Sequence, residues 1–237
     1  MIGRRLTITI IVLSVCALCF CQHTDRQLTM AYLDEDMQTW RSYLEATDWE
    51  SSSRAEQERI LLYEYGYIPY LMDNKDTEQC RRYFSQYKAH IEALSSHLPP
   101  AVDCAHRSAA HAYAYMLGDG GLKDALLSIR YARQAMQNDS LNPLALHLRA
   151  SVYFYAPRIA GGSKRKALNY YQQAEQRAAT DSVVQGQWLY PAAQLGVAQC
   201  YHALKDDTNA VLQCRRIQQQ HPTFRYVNEV FLPRLTR

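Results

Sequence analysis

Apolar positions recur along the chain in triplets, each a small residue followed by a larger one four positions later and by another three positions after that. The triplets are Cys80/Phe84/Tyr87, Ala125/Ile129/Ala132, Ala167/Tyr171/Ala174 and Ala210/Cys214/Ile217. Their first members lie 45, 42 and 43 positions apart. Spacings of three and four residues place side chains on one face of an α-helix. The near-constant interval predicts a stack of helical hairpins, in which no hairpin buries its apolar face without its neighbours.

Turn residues and prolines set the expected limits of these hairpins. Helical hairpins are predicted at about 54–95, 102–137, 143–180 and 187–220, with a long third turn at 156–163. Pro69 should kink or shorten its helix, because proline lacks an amide hydrogen and clashes with the preceding turn. The tail from Thr223 to Arg237 predicts a final helix that covers the exposed end of the stack.

The segment before the first hairpin allows two interpretations. Its apolar residues keep helical spacing, which predicts one helix from about Asp25 to Ala46. Alternatively, Asp34-Glu35-Asp36 forms a turn that splits the segment into a hairpin. Ser53, with Glu56 three residues later, is a candidate cap for the helix that follows.

The amino end has the features of a secretory signal. Arg4 and Arg5 precede an apolar run from Leu6 to Phe20, which is short for a membrane span, and polar residues follow. We therefore expect an exported protein with a signal at residues 1–21 and a helical-repeat domain at 22–237. Cleavage after Cys21 would release a soluble protein; lipid attachment at Cys21, or an uncleaved anchor, are the alternatives.

Charge argues against a nucleic-acid partner. Removal of residues 1–21 lowers the net charge from +3 to +1, because Arg4 and Arg5 are lost with no acid. A nearly neutral protein has little long-range attraction for phosphate backbones. The short basic clusters, including Lys164-Arg165-Lys166, are typical of solvated helix faces.

The cysteines that remain after export are predicted to be free. Cys80, Cys104, Cys200 and Cys214 are few for a chain of this length, which does not need disulfides to fold. Cys80 and Cys214 occupy packing positions of the repeat, as buried thiols often do. A bridge between Cys200 and Cys214 across the last hairpin is the specific alternative.

The last two hairpins resemble the tetratricopeptide repeat. Small, aromatic, large and proline residues fall at the motif positions of the fourth hairpin: Ala198, Tyr201, Leu204, Ala210, Cys214 and Pro222. Ala150, Tyr153, Ala167, Tyr171 and Ala174 match in the third hairpin after an insertion in its turn. The mature chain also looks like exported tetratricopeptide proteins of Gram-negative bacteria without an assigned activity. The resemblance implies an all-α fold, a right-handed superhelical stack of hairpins with capping helices.

Motifs for metal, nucleotide or cofactor chemistry do not emerge from the sequence. His106 and His111 are five residues apart and would point about 140° away from each other on a helix. Gly118-Asp119-Gly120-Gly121 precedes a helix but lacks the strand and the Gly-Lys-Ser/Thr ending of a phosphate loop. We expect no cofactor, no metal and no catalytic residues.

Aromatic residues are the main indication of function. In the register of the repeat, the first helix of each hairpin directs a set of side chains into the concave groove of the stack. These are Tyr63, Tyr67, Tyr70, Tyr115, His147, Ser151, Phe154, Tyr155, Gln199 and His202. Tyrosine offers broad apolar contact and a polar tip, which suits recognition of a partner.

The sequence therefore predicts a non-catalytic protein that binds a protein or peptide through an aromatic groove in the periplasm or at the outer membrane. Two alternatives remain open. One is a lipid-anchored structural component of an outer-membrane assembly, and the other is an enzyme that uses His147 or His202.

Overall fold

A computed structural model describes residues 23–236, and every regular element within that range is a helix. Helices that follow one another along the chain pack together, as in a stack of helical hairpins. The prediction of an all-α fold is thus confirmed. The predicted signal at residues 1–21 lies outside the described range. Within that range, no helix has the length and hydropathy needed to cross a bilayer.

The amino-terminal segment forms two helices instead of one. Residues 23–33 form α1, and Met37–Ala46 forms α2. Glu35 lies between them with φ of 58°, a left-handed conformation that ends α1. The Asp36 carboxylate then accepts a hydrogen bond from the Thr39 amide at 3.4 Å and caps α2. The alternative turn at residues 34–36 is therefore the one that forms.

Four hairpins follow, each with a leading helix and a return helix. The pairs are α3 (Arg54–Asp73) with α4 (Thr77–Leu94), α5 (Pro100–Met116) with α6 (Leu122–Asn138), α7 (Pro143–Tyr155) with α8 (Lys164–Thr180), and, after the short α9 (Ser182–Gln185), α10 (Leu189–Ala203) with α11 (Asp207–Gln220). A single 3₁₀ turn, Arg158–Ala160, lies within the long third turn. Because each return helix runs back along its partner, successive leading helices point the same way.

Pro69 does not shorten α3, which continues to Asp73. A proline at this position leaves the carbonyl of Tyr65, four residues earlier, without its helical amide partner. The Tyr113 hydroxyl of α5 donates a hydrogen bond to that oxygen at 2.7 Å. The neighbouring hairpin therefore satisfies a group that proline would otherwise leave unpaired.

The triplets of the return helices form much of the seam between hairpins. All three members are buried in α4, α8 and α11, whereas in α6 only Ala132 is fully buried. Glycines on the leading helices allow aromatic side chains of neighbouring elements to pack closely against the helix backbone. A Cβ on Gly66 would lie 2.8 Å from atoms of Trp40 and of Trp188, and one on Gly196 would lie 2.7 Å from Tyr171. The expected close approach at Gly66 is thus present.

The carboxyl-terminal segment covers the last hairpin, as predicted, but mostly as a π-helix at Tyr226–Phe231 followed by α12 (Leu232–Leu235). Phe224, Val227 and Phe231 are buried against Ala198 of α10 and Cys214 of α11. Leu33 of α1 belongs to the same apolar cluster.

Helix α1 contacts α2, the first hairpin and the last hairpin, and its Asp25 carboxylate accepts hydrogen bonds from Arg59 and Tyr63 of α3. The Leu28 carbonyl accepts a hydrogen bond from the Trp40 indole at 2.6 Å, and the Thr29 hydroxyl donates to the Gly186 carbonyl at 2.9 Å. The Tyr32 ring lies 5.7 Å from Trp188 and 5.5 Å from Phe224. The amino-terminal helix is therefore part of the core of the stack.

Candidate functional site

The side chains that the sequence assigns to a concave groove differ widely in exposure. Tyr63, Tyr67 and His147 are buried; Ser151, Phe154, Gln199 and His202 are partly exposed; Tyr70, Tyr115 and Tyr155 are exposed. Only the partly exposed and exposed members offer surface to another molecule in this conformation.

Tyr63 is buried because α1 and α2 cover it. Its hydroxyl donates a hydrogen bond to the Asp25 carboxylate at 3.1 Å, and the Trp40 ring packs edge-on at 4.9 Å. Burial, together with the negative charge of Asp25, raises the pKa of the Tyr63 hydroxyl well above its ordinary value. The side chain thus acts as a hydrogen-bond donor within the core.

Tyr67 is buried one turn before the exposed Tyr70. The two rings stack with centroids 5.8 Å apart, and Tyr83 of α4 packs edge-on against Tyr67 at 5.0 Å. Aromatic contacts of this geometry fix ring orientation. Tyr67 therefore supports the exposed ring of Tyr70.

His147 lies in an aromatic core that includes Trp188, a residue not identified from the sequence. The His147 ring lies 5.3 Å from Tyr171 and 6.4 Å from Trp188. Burial lowers the pKa of His147 to about 4, so the ring is neutral near pH 7. Within residues 23–236, neither Nδ1 of His147 nor Nε1 of Trp188 has a hydrogen-bond partner.

Trp188 packs against helices that are distant from it along the chain. Its ring approaches Gly66 of α3, and its centroid lies 5.6 Å from those of Tyr65 and Trp40. Trp188 and Leu28 of α1 belong to the same buried apolar cluster. The only signal for this role is a tryptophan immediately before α10.

The exposed aromatic residues share one edge of the stack. Tyr70, Tyr115 and Tyr155 lie in the last turn of α3, α5 and α7, with 37%, 50% and 69% of their surface exposed. His202 occupies the corresponding turn of α10, where its Nδ1 lies 2.6 Å from the Asp207 carboxylate. Since the leading helices point the same way, their carboxyl ends are expected to lie at the same edge of the stack. We call these four residues the rim.

The third turn, residues 156–163, projects beside the rim with a well-defined conformation. The Ser163 amide donates to the Tyr153 carbonyl at 2.9 Å, and the Gly162 amide donates to the Pro157 carbonyl at 3.0 Å. A Cβ on Gly162 would lie 1.8 Å from the Ala156 oxygen, so only glycine fits there. At the tip, Ile159 is 99% exposed.

Metal and thiol chemistry have little structural basis in the described part of the chain. No group of three or more His, Cys, Asp or Glu side chains within residues 23–236 is arranged to hold a metal ion. Cys80, Cys104, Cys200 and Cys214 are free thiols, so the alternative Cys200–Cys214 bridge does not form. Burial raises the pKa of the Cys200 thiol to about 12 and that of Cys214 to about 11, which suppresses the reactive thiolate.

Comparisons of this chain with models of protein families, with curated proteins and with solved structures find no match.

Proposed function

We propose that this chain is a non-catalytic helical-repeat protein of the tetratricopeptide type that binds a protein or peptide through its rim. The fold supports the proposal because stacked hairpins present rigid, extended edges and grooves for partners. We also propose that residues 1–21 direct export and that the protein acts in the periplasm or at the outer membrane.

The exposed aromatic side chains at the rim carry this proposal. Three tyrosines stand in the last turn of successive leading helices, with 37%, 50% and 69% of their surface exposed. Large aromatic side chains are enriched among the residues that contribute most to binding energy in protein interfaces. Rigid helices hold these rings in place, so their capture of a partner costs little conformational entropy.

The proposed binding surface differs from the concave groove that the sequence alone predicts. The register of the repeat predicts that ligands contact Tyr63 and His147, but in this structure Tyr63 is buried against Asp25 of α1 and His147 is buried near Trp188. A partner at the rim would not need to displace these groups. We therefore assign binding to the rim residues Tyr70, Tyr115, Tyr155 and His202, with the partly exposed Phe154 packed against Tyr155.

Site-specific photo-crosslinking in cells would test the proposal. A benzoylphenylalanine replaces Tyr70, Tyr115 or Tyr155, and in control strains it replaces Leu141 or Leu212, which are exposed by 52% and 57% away from the rim. We expect one shared crosslinked partner from the rim positions and none of it from the control positions.

The purified partner is then titrated against the parent chain and the variant Tyr70→Ser/Tyr115→Ser/Tyr155→Ser. We expect affinity to fall about tenfold or more, because the loss of even one aromatic hot spot costs about 2 kcal/mol or more. The control Leu141→Ser/Leu212→Ser should bind as the parent does. Equal affinity of the rim variant and the parent would rule out the rim as the binding surface.

A further inference from the structure

From the third hairpin we infer a second surface, distinct from partner binding at the rim: the third turn docks the protein on an anionic lipid bilayer. Ile159 would enter the interface and Arg158, Arg165 and Lys166 would contact lipid headgroups. The inference goes beyond the proposed function, and neither depends on the other.

Charge is distributed very unevenly along the chain. Residues 140–174 contain no Asp or Glu, and they contain Arg149, Arg158, Lys164, Arg165 and Lys166. Residues 22–237 have a net charge of +1, so the remainder of that range carries −4. A molecule with this asymmetry turns its cationic part toward an anionic surface.

The three cations lie in the third turn (Arg158) and in the first turn of α8 (Arg165 and Lys166), and Lys166 Nζ also lies 5.4 Å from the centre of the Tyr153 ring. Arg158, Arg165 and Lys166 are exposed, and within residues 23–236 none of them forms an ion pair. Lys164 is used internally instead. Its ammonium contacts the Phe154 carbonyl and lies 3.7 Å from the centre of the Phe154 ring.

Ile159 is the most exposed large apolar side chain in the described part of the chain. Ile159 is 99% exposed, and a protein partner would need a matching pocket to bury it. A bilayer accepts a protruding apolar group without such a pocket, and cations close to Ile159 in the sequence would contact the anionic headgroups. This shape favours a lipid surface over an acidic peptide.

The turn is also held in place before any contact. The Ser163–Tyr153 and Gly162–Pro157 backbone hydrogen bonds close it at its base, and the Ser163 hydroxyl caps α8 by accepting from the Lys166 amide at 3.3 Å. Because the backbone of the turn is already ordered, docking costs little conformational entropy. The modest attraction of each cation to the lipid is therefore not offset by such a cost.

Vesicle binding would test the inference. The full chain is mixed with vesicles of phosphatidylcholine alone or of phosphatidylcholine with phosphatidylglycerol, and the bound fraction is measured by flotation. Every variant retains residues 1–22, so any vesicle binding by the amino-terminal apolar run is common to all. We expect stronger binding to the anionic vesicles, weakened by salt as screening increases.

Matched substitutions distinguish an effect of the cations near the third turn from an effect of the net charge of the protein. Each cation near an anionic surface contributes about fivefold in affinity, so Arg165→Gln/Lys166→Gln should weaken binding by on the order of twentyfold. Arg215→Gln/Arg216→Gln removes the same charge from exposed positions of α11 and should change binding less than about twofold. Equal losses in the two variants would overturn the inference.

Insertion of the tip gives an independent readout. Tryptophan replaces Ile159, or, as a control, the exposed Leu141, and the vesicles contain brominated lipid, which quenches indole fluorescence at close range. We expect added quenching for Ile159→Trp and none for Leu141→Trp. Absence of quenching at position 159, or binding to polyglutamate through the third turn without binding to anionic vesicles, would refute the lipid assignment.

Discussion

The Tyr113 hydroxyl donates a hydrogen bond to the carbonyl oxygen of Tyr65 at 2.7 Å, linking the second hairpin to the first at the carbonyl that Pro69 leaves without a helical partner. Both groups are buried and have no access to water. The hydrogen bond between them therefore replaces the hydrogen bonds that each group makes to water in the unfolded chain. The first and second hairpins are thereby coupled through the backbone carbonyl of α3 that Pro69 leaves without a helical partner.

Tyr113→Phe should lower the free energy of unfolding by about 1–3 kcal/mol, because the Tyr65 carbonyl is left buried and unpaired. In a Pro69→Ala background, the new amide at position 69 can bond to that carbonyl, so the same change should cost less. A double-mutant cycle by urea denaturation measures both costs. Identical costs in the two backgrounds would contradict the coupling.

Gly66→Ala should destabilise the protein by about 1–3 kcal/mol through overpacking. The new Cβ would lie 2.8 Å from atoms of both Trp40 and Trp188. Trp188→Phe removes part of the indole that contacts this position, so the cost of Gly66→Ala should be smaller in that background. Thermal and urea denaturation of the four proteins provide the test, and a stabilising effect of Gly66→Ala would contradict the close approach.

Stability should fall as the pH decreases from 7 to 5. Burial lowers the pKa of His147 to about 4 and that of His106 to about 3, whereas histidine in the unfolded chain titrates near 6.5. The unfolded state therefore binds protons first, and stability present above pH 6.5 is lost as the pH falls toward the folded-state values.

Each histidine should contribute about 2 kcal/mol to this loss between pH 7 and pH 5. His147→Gln or His106→Gln should reduce the pH dependence by that share, whatever its effect on packing at pH 8. Urea denaturation of each variant at pH 8, 7 and 5 separates the two effects. A pH slope that is unchanged in both variants would show that these rings do not carry the titration.

The described cysteines should differ in reactivity toward an alkylating reagent. Cys104 is partly exposed, whereas Cys80, Cys200 and Cys214 are buried. Mass spectrometry after labelling the native protein should show modification at Cys104 first, and at all four positions after unfolding. An unmodified Cys200–Cys214 peptide pair that reacts only after reduction would reveal a disulfide.

Local signals in the sequence were sufficient to place the hairpins. The helix pairs and the turns near Asp73, Gly118 and Asp206 follow from apolar spacing, glycine and capping residues, which act over a few positions. The same signals left the segment at residues 34–36 ambiguous, because a short acidic stretch is compatible with a helix or a turn. The left-handed conformation of Glu35 decides that point in the structure.

The candidate site was less predictable because it depends on long-range packing. Repeat register indicates which way Tyr63 and His147 point, but not whether another segment covers them. Asp25 and Trp188 do so from distant parts of the sequence. The cationic character of the third hairpin was visible in the sequence, but the availability of its charges depends on which side chains pair in the folded chain.

The contact of α1 with the last hairpin has a consequence for the order of assembly. The Thr29–Gly186 hydrogen bond spans 157 residues, so a ribosome must synthesise most of the polypeptide before α1 can complete its contacts. Earlier repeats can fold on their own neighbours as they emerge. The amino-terminal helix is therefore among the last elements to complete its packing.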